Sequence, residues 1–350
     1  MQLAFHEELP VSTSTKLKYQ YLIIGGTTKA ATTSLYYYLA DHPEVSVSTL
    51  KETRFFIDED YPVVPVSAKW NAGSQDFSTF FKDSDTKCRV EATPDYLYSA
   101  GTPERIKSML PGAKLVFLLR NPITRLVSWY KYARQRADIP TAMSFTEYVE
   151  TQLERGYFEE AKENRLKMDQ GQDAASMLGQ RNIPSAYFLS ALEHGKYATY
   201  LQPYYETFGA ENIKVYFYEN LCANPADILT DLCEFAGISP EVYADYDFKV
   251  FNRSTSMKSA VLNKIYADLR TAIRRRTHNH PIHKVLSQLR LWFDPIYLRL
   301  NAQKMEEVVV PPGIKAQLEN YYQEDVEQLE KMLGRPSPWN NEIATAKKVR

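Results

Sequence analysis

Residues 19–43, YQYLIIGGTTKAATTSLYYYLADHP, constrain the fold more than any other stretch of the chain. An apolar run meets two glycines and a Thr/Ser-rich turn, and a helical pattern then runs on until it stops before Pro43. A buried strand, a tight turn and a helix start in this order make the first half of a βαβ unit. The alternation repeats downstream. EVSVS (44–48) and KCRVEATPDYLY (87–98, ended by Pro94) read as short strands, while LVFLL within GAKLVFLLRNP (112–122) and ENIKVYFYENL (211–221) read as strong ones. ITRLVSWYKYARQR (123–136), ADILTDLCEFAGI (226–238, closed by Gly237) and GIKAQLENYYQEDVEQLEKMLG (313–334) read as helices, the last stopping at Gly334 ahead of Pro336. Strands alternating with helices predict an α/β fold of three layers, a central parallel sheet flanked by helices with right-handed crossovers.

With 350 residues, 44% of them apolar, the chain can bury one large α/β core with insertions, or two modest ones. Residues 1–18 read as a flexible polar lead-in, 19–340 as a single domain and 341–350 as a tail. Residues 57–76 read as a loop and 141–200 as largely helical. Residues 252–312 lack a clear strand and are basic, with Arg274, Arg275 and Arg276 in a row. They read as a helical insertion or cap whose charges form a solvated face, in preference to an anion-binding lid. A formal net charge of −1 removes the global basic field that nucleic acid would attract. Cys88, Cys222 and Cys233 fit neither a disulfide framework nor a zinc pattern, and read as buried free thiols of a reducing compartment. The N-terminal stretch lacks the basic start and apolar core of a signal peptide, and no apolar run approaches the ~20 residues of a membrane span. A soluble, cytoplasmic protein without a metal is expected.

The turn GGTTKAATTS (25–34) carries the first chemistry. A turn after a strand that opens a helix points backbone N–H groups at one spot, where the helix dipole favours an anion. Thr32, Thr33 and Ser34 add hydroxyl donors and Lys29 adds a cation. The nucleotide P-loop pattern G-x-x-x-x-G-K-[ST] is only half met. Counting from Gly26, Ala31 stands where the second glycine belongs and Thr32 where the lysine belongs. On this segment alone, an anion site and a Thr/Ser-capped helix after a glycine turn are equally good readings.

A second segment, LLRNPITRLVSWY (118–130), puts Arg120 just past the end of a buried strand, the edge where open parallel sheets bind ligands. Ser128 follows on the next helix. Arginine by a bidentate contact and serine by its hydroxyl could grip a separate phosphate, although on this segment alone a structural, helix-capping arginine is the better reading. A Walker-B strand would end in an aspartate for magnesium instead.

At this point the sequence resembles a known family. IIGGTTKAATTSLYYYLADHPEV is similar to the 5′-phosphosulfate loop of sulfotransferases, and FLLRNPITRLVSWYKY to their 3′-phosphate motif. LKETRFF (50–56), VEATPDYL (90–97) and HGKYATYLQPYYETFG (194–209) resemble further family segments in the same order. The resemblance runs from about residue 20 to 250, resumes over about 311–339, and is closest to the heparan-sulfate-type and bacterial branch. It implies a P-loop-like fold and 3′-phosphoadenosine 5′-phosphosulfate (PAPS) as sulfuryl donor, with adenosine 3′,5′-bisphosphate (PAP) as product and no metal.

The resemblance also implies roles. Lys29 would neutralise the bridging oxygen and leaving 5′-phosphate, held by Gly26, Thr28, Ala30, Ala31, Thr32, Thr33 and Ser34. Arg120 and Ser128 would hold the 3′-phosphate. Gly195, Lys196 and Tyr197 would line the nucleotide, partly through backbone. Glu52 would be the base that deprotonates the acceptor, for which its environment should raise its pKa somewhat. Lys51, Glu91 and His194 are weaker candidates for acceptor contacts, Glu91 also as reserve base; His42 reads as structural. The family usually has glycine at the Ala31 position. If φ there is positive, alanine costs ~1–2 kcal/mol. The acceptor is a small molecule or a glycan, through a hydroxyl or an amine, and the Tyr-rich sequence leans towards a closed aromatic pocket. A P-loop kinase or NTPase, and a relative that binds without reacting, are the competing readings. The oligomeric state does not follow from the sequence.

Overall fold

The computed structural model describes residues 18–62, 76–82, 85–136, 138–140, 142–154, 188–249, 256–257, 302–303 and 307–339. Most of the lead-in, residues 155–187 of the stretch read as helical, most of the basic insertion and the tail lie outside the described residues.

Five strands, β1 (Gln20–Gly26), β2 (Val45–Val47), β3 (Cys88–Ala92), β4 (Lys114–Leu119) and β5 (Ile213–Phe217), form one sheet in the order β2-β3-β1-β4-β5. Every pairing is parallel, with Ile23 opposite Glu91 on one side and Leu115 on the other. Each strand falls within one of the segments that read as strands in the sequence. The helices are α1 (Thr32–Ala40), α2 (Thr102–Met109), α3 (Pro122–Arg136), α4 (Phe145–Glu154), α5 (Tyr197–Phe208), α6 (Tyr218–Ala223), α7 (Pro225–Ala236) and α8 (Pro312–Leu333).

Strand periodicity of two sorts the core into two layers. Tyr21, Ile23, Leu115 and Phe117 face α2, α3, α5 and α8. Leu22, Ile24, Val116 and Leu118 face α1 and α7. Leu22, Ile23 and Ile24 have no exposed surface, and burying each such side chain contributes about 2–3 kcal/mol. Gly237 (φ 73°) and Gly334 (φ 64°) close α7 and α8 in the left-handed conformation, as their sequence positions predicted. Within 252–312, read as lacking a clear strand, Ser256–Met257 pairs with Ala302–Gln303 in a two-residue antiparallel ladder. Of the cysteines read as buried, Cys88 and Cys233 are buried while Cys222, on the surface of α6, is exposed.

Many of the tyrosines are core residues rather than pocket lining. The Tyr204 hydroxyl donates to Tyr96 O (2.6 Å), that of Tyr148 to Phe188 O (2.6 Å) and that of Tyr322 to Leu192 O (2.7 Å). A buried phenol needs such a partner, and a carbonyl left over from irregular backbone supplies it.

The twin glycines at the end of β1 are there for room. A Cβ on Gly25 would stand 2.7 Å from the Phe117 ring, and one on Gly26 2.8 Å from Leu97 Cβ. The chain therefore leaves the sheet pressed against β4 and the Pro94–Tyr98 turn, and this places residues 27–34 over the carboxyl ends of β1 and β4.

Candidate active site

The loop between β1 and α1 has the backbone of an anion cradle. Thr27 N–H donates to Leu118 O (2.7 Å), and the next backbone N–H paired with a carbonyl is that of Leu35, on Ala31 O (3.1 Å). Between them, no backbone N–H from Thr28 to Ser34 finds an acceptor among the described residues. Helix α1 has no side-chain N-cap and no acid in its first turn. A Thr/Ser-capped helix, the alternative reading, would have filled those donors internally. Thr32 is buried, Thr33 half-buried, and Ser34 is turned towards the Tyr38 phenol.

Ala31 sits at the N-cap with φ 64° and ψ 23°. Its backbone is left-handed, the case in which alanine is strained, and Lys29 (φ 70°) shares that conformation. Ala31→Gly is expected to stabilise the protein by about 1 kcal/mol, because glycine removes the Cβ clash but enlarges the unfolded ensemble. Thermal unfolding should show a melting midpoint higher by roughly 2–4 °C. An unchanged or lower midpoint would mean that the loop relaxes around the methyl group.

Lys29 is a confined cation. Its Nζ lies over the Tyr132 ring, 4.3 Å from the centroid. Burial and, next, the Arg120 charge lower its pKa to about 8, while the Glu52 carboxylate partly opposes them. A positive group held at such a cost is poised to gain from a bound anion.

Arg120 leaves the end of β4 and reaches the same loop. Its Nη1 donates to Lys29 O (3.1 Å), its Nε to Thr124 Oγ1 (3.1 Å), and its guanidinium covers the Tyr218 ring at 4.4 Å. Asn121 starts α3, its Oδ1 accepting from Ile123 N (3.0 Å) and Thr124 N (3.1 Å). That turn sets the direction in which Arg120 and half-buried Ser128 project.

Arg125 belongs to the site and was missed in the sequence. It has no exposed surface, yet donates from Nη1 to Thr28 Oγ1 (3.3 Å) and from Nη2 to Ala191 O. Tyrosines, not carboxylates, surround it: Tyr98, Tyr197, Tyr322 and Tyr148. The signal was present, because Arg125 falls on the helix face of Leu126, Trp129 and Ala133, where an arginine is out of place unless it is used.

Glu52 stands beyond β2, where its N–H donates to Ala92 O (3.0 Å). Its Oε1 lies 2.7 Å from Lys51 Nζ and its Oε2 3.4 Å from Arg54 Nη2. Burial pushes its pKa up, but Lys51 and Arg54 outweigh burial and leave it below the ordinary carboxylate value. This corrects the expectation of a raised pKa: two adjacent cations hold the carboxylate ionised. Glu91, in β3, is the carboxyl that burial raises, to about 7, against hydrogen bonds from Thr93 and Thr53. It has no exposed surface, so it does not stand where an acceptor would touch it.

Residues 193–197 come together differently from the sequence reading. Gly195 is buried because a Cβ there would stand 2.6 Å from the Tyr322 ring of α8. Tyr197 is buried and donates its hydroxyl to Arg120 O (2.7 Å), so it steadies the strand end. Lys196 is half-buried, its Nζ 4.3 Å from the Tyr321 ring centroid. His194 is buried, stacked on Tyr98 at 3.9 Å, and burial and Arg125 hold its pKa far below the usual value. A neutral, stacked imidazole supports the Thr27–Tyr98 contact from behind the loop and does not face an acceptor.

Lys29, Glu52 and Arg120 thus stand at the carboxyl ends of β1, β2 and β4 of one parallel sheet, around an uncapped, cation-flanked loop: a P-loop-like α/β protein built to hold anions. The chain belongs to the sulfotransferase family, whose sulfotransferase domain profile matches residues 20–266. It is 27% identical over 245 residues to the bifunctional heparan sulfate N-deacetylase/N-sulfotransferase 1 of Mus musculus, covering 68% of this chain and 24% of that protein. It is 26% identical over 226 residues to the type 2 enzyme of Bos taurus, covering 62% and 22%. The chain spans about a quarter of the length of these relatives. A crystal structure of a sulfotransferase from Alicyclobacillus acidocaldarius shares the fold, with a TM-score of 0.56, 21% identity and 91% and 97% of the two chains covered. Among the described residues no helix is long and apolar enough to cross a membrane, and no cluster of His, Cys, Asp and Glu could hold a metal.

Proposed function

We propose that the protein transfers a sulfuryl group from PAPS to a hydroxyl or amine, directly and in line. The observation that carries this reading is the run of unanswered N–H groups from Thr28 to Ser34 with Lys29 beside it and Arg120 across it. Those donors and Lys29 would hold the 5′-phosphate, and Arg120 with Ser128 the 3′-phosphate. Arg125 would back the loop through Thr28. The acceptor oxygen or nitrogen attacks sulfur and gives its proton to Glu52. The sulfur–oxygen bond to the 5′-phosphate breaks, and its electrons stay on the phosphate oxygen, where Lys29 meets the new charge. Glu52 is a weak base in this setting, which suffices when the acceptor proton turns acidic as its bond to sulfur forms. The relatives named as heparan sulfate N-sulfotransferases support a glycan acceptor, and Lys51 and Arg54 at the mouth of the site suit an acidic one.

Calorimetric titration with PAP tests the donor assignment. PAP should bind, and ADP, which lacks the 3′-phosphate, should bind at least tenfold more weakly, roughly the value of one charge-assisted contact. At pH 8.5 binding should also take up protons. Free Lys29, lowered to about 8, is then mostly neutral, and the bound phosphates draw it back to the charged form. The phosphates themselves are already ionised at that pH. Titrations in buffers of different ionisation enthalpy read the uptake directly. Equal affinity for PAP and ADP would remove Arg120 and Ser128 from the 3′-phosphate role.

A further inference from the structure

Glu91 has no exposed surface, yet its carboxyl is committed to one task. Oε1 accepts from Thr53 N (3.1 Å), Thr53 Oγ1 (3.1 Å) and Thr93 Oγ1 (2.6 Å). Thr93 Oγ1 in turn accepts from Arg54 N (3.2 Å), and Thr53 Oγ1 from Phe55 N (3.3 Å). Residues 53–55 therefore have their backbone N–H groups tied, directly or through one hydroxyl, to a single carboxylate oxygen on β3. The tied segment is strained: Glu52 and Arg54, on either side of Thr53, both have left-handed backbones, φ 62° and 54°. Neither is a glycine, so that conformation persists only where surrounding contacts over-determine it. It is also what turns the Glu52 carboxylate back between Lys51 and Arg54. Glu91 Oε2 meets no hydrogen-bond partner among the described residues, so nothing else in the core accounts for a carboxyl there. Around it stand Thr53, Thr93, the Tyr96 and Tyr36 phenols and, more distantly, the Lys51 ammonium.

We propose that Glu91 is a positioning residue, which holds the strained Glu52–Arg54 segment through Thr53 and Thr93 and so aims the Glu52 carboxylate at the acceptor. The proposal rests on the reading of Glu52 as the base, and the experiment separates the two.

The test compares Glu91→Ala, Glu91→Gln, Glu52→Gln and the double variant Glu91→Ala/Glu52→Gln. Each is measured for PAP affinity, melting midpoint, and turnover on an acceptor identified with the unmodified protein. Glu91→Ala should lower kcat about thirtyfold and leave PAP affinity within twofold. Glu91→Gln should recover most of that loss, because its amide oxygen still accepts from Thr53 and Thr93. In the Glu52→Gln background, Glu91→Ala should cost less than a further twofold, since there is no base left to aim. A full thirtyfold loss in that background would overturn the positioning role. Equal losses in Glu91→Gln and Glu91→Ala would overturn it too, and mark Glu91 as a proton acceptor itself. Wild-type turnover in Glu52→Gln would instead remove the base assignment. If Glu91→Ala fails to fold, Thr93→Val takes its place. It removes the hydroxyl that links Glu91 to Arg54 N, along with that hydroxyl's contact to the Tyr96 phenol, and leaves both links through Thr53. It should show the same non-additivity with Glu52→Gln, smaller in size.

Discussion

Lys29→Met should lower kcat about a thousandfold while weakening PAP binding only about tenfold. The difference between the two figures is the substance of the prediction. Methionine keeps the packing on the Tyr132 ring and removes the charge. In the ground state the 5′ anion is shared among the loop N–H groups from Thr28 to Ser34, so one lost cation is partly covered. In the transition state negative charge gathers on the bridging oxygen, and a preorganised cation in a dry site acts there with most force, with losses of order 10²–10³ per group removed. Lys29 is preorganised at a visible cost: burial and Arg120 lower its pKa to about 8. Steady-state kinetics beside a PAP titration gives both numbers. Equal losses in kcat and in PAP affinity would reduce Lys29 to a ground-state binding group.

Glu52→Gln is expected to lower turnover by about 10²–10⁴, the range for a lost general base, and to leave PAP affinity within twofold. Glutamine keeps the shape and can still accept from Lys51 and Arg54, but cannot take the acceptor proton. Because those two cations hold Glu52 below the ordinary carboxylate range, against burial, its carboxylate is ionised throughout the neutral range. The wild-type rate should therefore show no acid limb from this group above that range. It would fall only as pH drops through the lowered pKa and the carboxylate gains its proton. An acid limb near pH 7 in kcat/KM would shift attention to Glu91, the carboxyl that burial raises to about 7.

The fold was legible because β1 and β4 contain continuous apolar runs, the other strands fall between turn signals, and α7 and α8 stop at Gly237 and Gly334, signals that depend on neighbours in sequence. The cations of the site were legible for the same reason: Lys29 lies in a glycine-led turn and Arg120 at the end of a buried run. What stayed hidden depends on distant partners. Gly195 looked like a nucleotide-lining residue because nothing local shows the Tyr322 ring that forbids a side chain there. Glu91 looked like a possible acceptor contact until Thr53 and Thr93 closed around it. The pKa of Glu52 went the other way from expectation because Lys51 and then Arg54 outweigh burial. Both are near in sequence, and what stayed hidden was the left-handed backbone at Glu52 and Arg54 that turns the three side chains together. Ala31 posed a question about one angle, and the angle came out positive.

The contact between Gly195 and Tyr322 sets an order on how this protein can come into being. Asp325, on the same helix as Tyr322, accepts from Ala198 N (3.0 Å) and Thr199 N (3.1 Å), so it caps the very turn that carries Lys196 and Tyr197. Helix α8 lies beyond the stretch that the family profile matches, yet it holds the turn after Tyr197, whose hydroxyl donates to Arg120 O. During synthesis the sheet from β1 to β5 can pair while the chain is still growing, but Gly195, Ala198 and Thr199 lack their Tyr322 and Asp325 partners until α8 has left the ribosome and docked. Such late, long-range closure is slow relative to local folding and leaves the apolar faces of α3 and α5 uncovered in the meantime. A nascent chain paused before residue 312 would have its loop and its cations without the Tyr322 ring against Gly195 and the Asp325 carboxylate on the turn after it.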